Sequence, residues 1–150
     1  MPIQSTSGGN LDRYIEERAQ RMMQELIYRL KYIGEECVNA ARISEQKGKD
    51  YLDQSGNLRS STGYVIVVDG QIVSESSFEV VKEGRQGSLE GRQLAEKLAN
   101  EYTDGTVLIF VAGMKYAVHV ADKGYDVLAS AEDLARREIP KMLERLGLNG

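Results

Sequence analysis

The stretch YLDQSGNLRSSTGYVIVV, residues 51–68, marks the point at which the predicted structure changes from helix to sheet. Its first half holds turn-forming residues, Asp53, Ser55, Gly56 and Asn57, around the apolar Leu58. From residue 64 on, five consecutive aromatic or branched aliphatic residues predict a strand that is buried on both faces. No residue type in the stretch suggests catalysis.

The chain before this stretch predicts one long helix over residues 11–47. Apolar residues recur there at steps of three and four, with Asn10 as the expected N-cap and Gly48 as the expected end. At 1.5 Å per residue the helix would be roughly 55 Å long, which exceeds the diameter of a small domain. We therefore expect one end to project beyond the sheet, or the helix to break near Gly34. A projecting apolar stripe favours an oligomer.

Residues 1–10, MPIQSTSGGN, are small and polar and predict a flexible N-terminal arm before a single α+β domain over residues 11–150. Two interpretations of the arm stay open. It is either a disordered terminus or a segment that becomes ordered on a neighbouring subunit.

The chain after this stretch predicts an antiparallel sheet. Residues 62–69 and 71–77 form a hairpin around Asp69-Gly70, a dipeptide typical of two-residue turns. The second strand is polar and is expected at an edge. Residues 107–111, VLIFV, predict the central strand, and residues 116–121 predict a further one. We expect one core that contains the side chains of Leu30, Ile66, Leu108 and Phe110.

Two further helices complete the predicted fold. Residues 92–102 have helical periodicity, and a last helix starts at the N-cap Ser130, with a kink or restart at Pro140 and a C-terminal cap at Gly147. The order of elements predicts an α+β fold. In this fold a long N-terminal helix and two further helices pack against one face of an antiparallel sheet of about four strands.

The segment of residues 78–91, FEVVKEGRQGSLEG, is predicted to be a mobile or functional loop because it holds three glycines and five charged residues. Its glycine spacing is not that of a phosphate-binding loop. Lys82 and Arg85 are its candidate partner contacts.

Composition excludes several classes of function. The net charge of −4 and the pI of about 5.1 argue against a generic nucleic-acid binder. The single cysteine, Cys37, allows no intrachain disulfide. No apolar run approaches the roughly 20 residues that cross a bilayer, so no membrane partner is expected.

The sequence predicts no catalytic, cofactor-binding or metal-binding residue. His119 is the only histidine, and its neighbours on the same strand face are alanines. It could act as a general base only with a carboxylate from elsewhere in the fold. No second cysteine or histidine lies at metal-ligand spacing. We interpret the chain as a protein that is not an enzyme, and a hydrolase or nuclease that uses His119 is the weakest of three hypotheses.

Two segments resemble one protein family. YLDQSGNLRSSTGYVIV is similar to the TGNLRxSI block of minor-tail or neck proteins from lambda-like long-tailed bacteriophages. AGMKYAVHVADKGYDVL is similar to that family's YAxYVE block, especially in phages and prophages of gut Bacteroides. The resemblance covers residues 11–146 approximately, and Ala121 departs from it where the family usually has Glu. The matching positions are Gly56, Asn57, Leu58, Arg59, Ser61, Tyr116, Ala117, Val120 and Gly124.

The resemblance implies a virion structural protein of the head–tail junction. Such a neck or tail-completion component assembles in the host cytoplasm into a homo-oligomeric ring around the DNA channel. Its partners would be further copies of itself and the adjacent head-completion and tail proteins, with DNA as passing cargo and no cofactor. The residues expected at oligomer or partner interfaces are Asn57, Arg59, Lys82, Arg85, Lys123 and Tyr125.

Alternatives stay open at two levels. Arg59 either lies at a ring interface or pairs locally with a carboxylate of the first helix such as Glu36. The whole chain is either a ring-forming virion protein or a small bacterial module that binds a protein or ligand through residues 78–91.

Overall fold

The computed structural model describes residues 2–49, 60–78, 84–121 and 130–147, and within the first helix it describes the side chains of residues 9–42. The helices and strands of these ranges are α1 (Pro2–Lys49), β1 (Gly63–Val68), β2 (Gln71–Glu75), α2 (Arg85–Ala99), β3 (Thr106–Ala112), β4 (Lys115–Val120) and α3 (Ala131–Arg145). They confirm the predicted α+β class.

The four described strands form one antiparallel sheet in the order β2-β1-β3-β4. Asp69 and Gly70 both have positive φ, 49° and 85°, as a tight hairpin turn requires. The predicted hairpin around these two residues and the edge position of its second strand are confirmed. β3 is buried along its whole length and lies beside β1 in the interior of the sheet, also as predicted.

Helices cover both faces of the sheet, and the prediction that they cover one face is wrong. Ile66 and Phe110 lie in the core beneath α1 and α3, whereas Val67 and Ile109 lie in the core beneath α2. β1 and β3 are apolar at consecutive positions, so each of their faces requires a cover. The result is a three-layer arrangement with the sheet in the middle.

The predicted core is confirmed. Leu30, Ile66, Leu108 and Phe110 belong to one cluster of buried side chains between the sheet, α1 and α3. Each of the four is 0% exposed.

α1 is longer than predicted at both ends. It begins at Pro2 rather than at Leu11, so the segment expected to be an arm is helical, and Asn10 is inside the helix rather than at its cap. Proline has a helix-compatible φ at a first helical position, and extending an existing helix is far easier than starting one. For the same reason Gly48 does not end the helix, which continues to Lys49.

Gly34 does not break α1 but allows a close contact. A Cβ atom at this position would lie 2.6 Å from Cγ and 2.7 Å from Cδ1 of the Tyr64 ring. The ring therefore packs directly on the backbone of α1, and its hydroxyl donates to Glu35 Oε1 at 2.8 Å.

α2 begins seven residues before the predicted start, so the predicted loop is wrong over residues 85–91. Gly87 and Gly91 are buried on one face of the helix, and a Cβ at Gly91 would lie only 2.8 Å from Cα of Ser61. Gly91, which has no Cβ, permits this close approach of two backbones. Residues 79–83 of the predicted loop lie outside the described ranges.

α3 starts at the predicted cap. The Ser130 hydroxyl accepts from the backbone N–H of Asp133 at 3.1 Å, and Glu132 and Asp133 lie in the first turn. Of the predicted kink or restart at Pro140, the restart is wrong, because the helix runs through Pro140 to Arg145. Pro140 and Arg136 are both exposed, so water can satisfy the carbonyl that loses its donor. Gly147 has a φ of 72° and forms the predicted C-terminal cap.

Candidate functional site

The N-terminal half of α1 extends beyond the sheet. Strands of five to seven residues give a sheet roughly 20 Å long, whereas the 48 residues of α1 span about 70 Å. All residues from 9 to 25 are consequently exposed, and Leu26 is the first buried residue among the described side chains of the helix. The predicted projection of one helix end is therefore present, and it is the N-terminal end.

The projecting half carries a row of large apolar side chains, which we call the exposed stripe. Leu11 is 58% exposed, Ile15 55% and Met22 40%, and Tyr14 and Met23 flank them. The stripe continues the same helix face that is buried from Leu26 onward. Contiguous apolar surface of this kind marks a site of protein contact.

A groove lies where α1 leaves the sheet, and we call it the helix-root groove. It has a volume of about 520 Å³. Its apolar lining comes from α1, from the end of β1 and from the residue after β4, namely Met22, Met23, Leu26, Val68 and Ala121. Methionine side chains are flexible and polarisable, which suits a surface that adapts to an apolar guest.

Two carboxylates, those of Asp69 and Asp104, line the same groove. The backbone N–H of Gly105 donates to Asp69 Oδ1 at 2.9 Å, and the backbone N–H of Asp69 donates to Gly105 O at 2.9 Å. The first bond fixes the Asp69 side chain and the second fixes its backbone, and Asp104 is exposed beside it. The groove therefore combines apolar walls with two carboxylates beside them. This combination fits a ligand in which an apolar side chain lies next to a cation.

The opposite end of the sheet has the complementary character. Met114, in the turn between β3 and β4, is 82% exposed, more than any other large apolar side chain in the described part of the chain. Lys115 follows it, and its ammonium donates to Leu146 O after α3 at 3.4 Å. This end presents an apolar tip beside positive charge. It is held in place by Ser61, whose Oγ accepts from the backbone N–H of Gly113 at 2.7 Å.

Most of the residues predicted for interfaces lie outside the described ranges. This holds for the interface candidates Asn57, Arg59, Lys82, Lys123 and Tyr125 and for the motif residues Gly56, Leu58 and Gly124. Arg85 is described and is exposed at the first position of α2.

The other motif residues are described, and they bring the two family-like segments together. Ser61, from the first segment, is buried and bonded to Gly113 of the second. Tyr116 is 45% exposed on the edge strand β4, and Ala117 is buried in the core beside α1 and α3. Val120, a further matching position at the end of β4, is 61% exposed. Among the described matching residues, Tyr116 and Val120 are therefore available for an intermolecular contact.

His119 has a carboxylate neighbour that the sequence could not identify. Its Nδ1 lies 3.1 Å from Glu138 Oε2, and the two side chains are 11% and 16% exposed. The pair joins β4 to α3 and thereby stabilises the packing of the last helix on the sheet.

The buried thiol does not supply a nucleophile. Burial raises the pKa of Cys37 to about 12, and the nearby Glu36 charge acts in the same direction. The thiol is therefore protonated at neutral pH, and it donates to Met142 Sδ at 3.9 Å. Within the described ranges, no group of three or more histidine, cysteine or acidic side chains could hold a metal ion.

No protein-family model matches the chain, and no curated protein and no solved structure is significantly similar to it. None of the described helices combines the length and the apolar character that crossing a membrane requires.

Sequence reasoning missed the groove and the tip. The groove is assembled from residues near positions 20, 70, 105 and 121, which only the fold brings together. Met114 gave a usable signal, because a large apolar residue is unusual in a tight turn between two strands.

Proposed function

We propose that the chain is a virion structural protein of the head–tail junction. It acts as a neck or tail-completion component of a long-tailed bacteriophage and assembles into a homo-oligomeric ring around the DNA channel. Its neighbours are head-completion and tail proteins, and DNA passes through the ring without being bound specifically. The resemblance of two segments to that family supplies the biological setting.

The observation that carries the proposal is the exposed stripe. A helix that packs on the sheet over residues 26–41 and presents large apolar side chains over residues 11–23 is suited to contact with another subunit. An area estimate supports more than one contact per subunit. A helix segment of 17 residues and about 10 Å diameter has a lateral surface on the order of 800 Å², and covering one side of it gives about half of the 800 Å² that each partner contributes to a standard interface.

Size-exclusion chromatography with light scattering, followed by negative-stain microscopy, tests the ring. We expect the wild-type protein to form a closed oligomer at high concentration and Ile15→Glu to remain a folded monomer. Glu17→Lys is the matched control, because this residue lies on the same projecting half but away from the stripe. A wild-type protein that stays monomeric at its highest soluble concentration would contradict the proposal.

The biological setting has its own test. Genes for a portal, major capsid or tape-measure protein are expected beside the gene for this chain. Deletion of the gene from the phage genome is expected to yield DNA-filled heads without attached tails. Normal tailed particles from the deletion would exclude a role at the head–tail junction.

A further inference from the structure

We propose that neighbouring copies of the chain join head to tail, with Met114 of one copy seated in the helix-root groove of the next copy. Lys115 of the first copy then lies beside Asp69 and Asp104 of the second. This inference rests on the proposed function, since it specifies the contact by which the copies of the ring recognise one another.

The apolar parts of the contact fit in size and character. Met114 is 82% exposed at the tip of the β3–β4 turn, and the groove of about 520 Å³ has room for that side chain and its neighbours. Met22 and Met23 line the groove with flexible thioether side chains, which adjust to the shape of a guest. Seating Met114 there covers apolar surface on both copies.

The charges of the two ends are opposite. Asp69 and Asp104 are at the groove, and Lys115, the first residue after the turn, is at the opposite end of the sheet. The Lys115 ammonium has three donors, and only one of them is directed to Leu146 O, at 3.4 Å. Such complementarity steers two copies into the head-to-tail orientation.

The same charges disfavour a two-fold symmetric dimer. A two-fold axis brings a surface against its own copy. Groove against groove would place Asp69 and Asp104 of both copies together, and turn against turn would place Lys115 against itself. A contact between two different surfaces avoids both repulsions, and it generates a ring when the rotation between copies closes.

The position of α1 ties this contact to the exposed stripe. The groove is lined by Met22 and Met23 at the root of the projecting half. A copy seated in the groove therefore lies beside the stripe, and it presents the exposed Tyr116 on β4, two residues from the inserted Met114. The groove and the stripe act as one continuous surface for one neighbour.

Charge reversal tests the contact in solution. Asp104→Lys and Lys115→Asp are each expected to raise the dissociation constant of assembly at least about tenfold, as loss of a central interface contact does. The chain that carries both substitutions is expected to recover assembly, because the opposite charges then face each other again. Glu96→Lys, an exposed position on α2, is the matched control and is expected to assemble normally. Sedimentation velocity over a concentration series gives the constants, and circular dichroism shows that each variant is folded.

Disulfide trapping tests the geometry without charge changes. In a Cys37→Ala background, one chain carries Met114→Cys and another carries Ala19→Cys, since Ala19 lines the groove. Under mild oxidation the mixture is expected to give cross-linked dimers that neither chain gives alone. The chain with both substitutions is expected to give a series of cross-linked oligomers on a non-reducing gel, and the largest of them should contain as many copies as the ring.

The outcomes separate this contact from the proposed function. If the wild-type protein never assembles, the ring and the contact both fail. A different result overturns the contact alone: the wild-type protein assembles and Ile15→Glu blocks assembly, but neither the charge reversals nor Met114→Glu weakens it. In that case the ring stands and the head-to-tail contact is overturned. The contact would also be overturned if Ala19→Cys chains cross-linked only to one another and not to Met114→Cys chains, because that result requires the grooves of two copies to face each other.

Discussion

The two halves of α1 have the same apolar pattern and opposite surroundings. Residues 26–41 place a row of apolar side chains against the sheet and α3, with Leu30, Ile33 and Cys37 fully buried. Residues 9–25 continue the row, but every one of them is exposed. The periodicity of the helix therefore specifies which of its faces is apolar, and the length of the sheet determines how much of that face is buried within the subunit.

The difference separates two roles within one helix. The covered half contributes to the stability of the subunit, because its side chains leave water when the chain folds. The projecting half leaves water only when another molecule binds. Variants in the two halves should accordingly differ in whether they change unfolding or association.

The largest expected effect comes from a matched pair of leucines. Leu30→Ala removes a side chain that is 0% exposed and is expected to lower the free energy of unfolding by about 2–5 kcal/mol. Leu11→Ala removes the same atoms from a side chain that is 58% exposed and is expected to change it by less than about 0.5 kcal/mol. Urea titration of both variants checks the pair. Equal destabilisation would show that the projecting half is covered within the subunit.

A pair of glycines gives a smaller effect of opposite sign. A Cβ at Gly34 would meet the Tyr64 ring, so Gly34→Ala is expected to destabilise by about 1–3 kcal/mol. Gly9 has no atom within 4 Å of the corresponding position, and Gly9→Ala is expected to stabilise the helix by no more than about 1 kcal/mol. Thermal unfolding followed by circular dichroism distinguishes them. A neutral Gly34→Ala would mean that the ring moves aside freely.

The sequence predicts elements whose signals are local. The Asp69-Gly70 turn, the apolar run of β3 and the Ser130 cap each need only a few neighbouring residues, and all three are confirmed. The projection of α1 also followed from sequence, because its cause is a simple mismatch in length.

Features that depend on distant residues were not predicted. The glycines at 87 and 91 suggest a loop by composition, but both are buried on one face of a helix, and Gly91 lies against the backbone of Ser61 before β1. Gly34 suggests a helix break until the Tyr64 ring is placed on it. The groove and its carboxylates exist only where α1, the β1–β2 turn and the start of β3 meet. In each case tertiary contact decides the role of a residue whose type is locally ambiguous.

The covered half also contains a group that makes stability depend on pH. Burial raises the pKa of Cys37 from 9.0 to about 12 in the folded protein. The unfolded chain releases this proton above pH 9 while the folded protein retains it, so the stabilisation is complete below pH 9 and is lost as the pH rises toward 12. The slope from one such group is about 1.4 kcal/mol per pH unit.

Urea titrations of the wild type and of Cys37→Ala between pH 8 and pH 11 measure this slope. The free energy of unfolding of the wild type should fall with pH by about 1 kcal/mol per pH unit more than that of Cys37→Ala. Tyr64, whose pKa is also raised by burial and by its hydrogen bond to Glu35, is present in both proteins and cancels in the comparison. Parallel pH profiles would show that the thiol titrates normally in the folded state.

The smallest free energies belong to local opening of the projecting half, and amide hydrogen exchange measures them without any substitution. Opening near a helix end that lacks tertiary contacts requires little free energy, whereas opening in the core approaches the free energy of global unfolding. In dilute protein, amides of residues 10–22 should exchange far faster than those of residues 28–40, although both belong to one helix. β3 serves as the internal reference for global unfolding.

If the stripe is an assembly surface, raising the protein concentration should slow exchange in residues 10–22, at the helix-root groove and at Met114, and leave β3 unchanged. Protection that is uniform along α1 in the monomer would remove the distinction between its halves, and protection that rises in the stripe but not at Met114 would place the neighbouring subunit elsewhere.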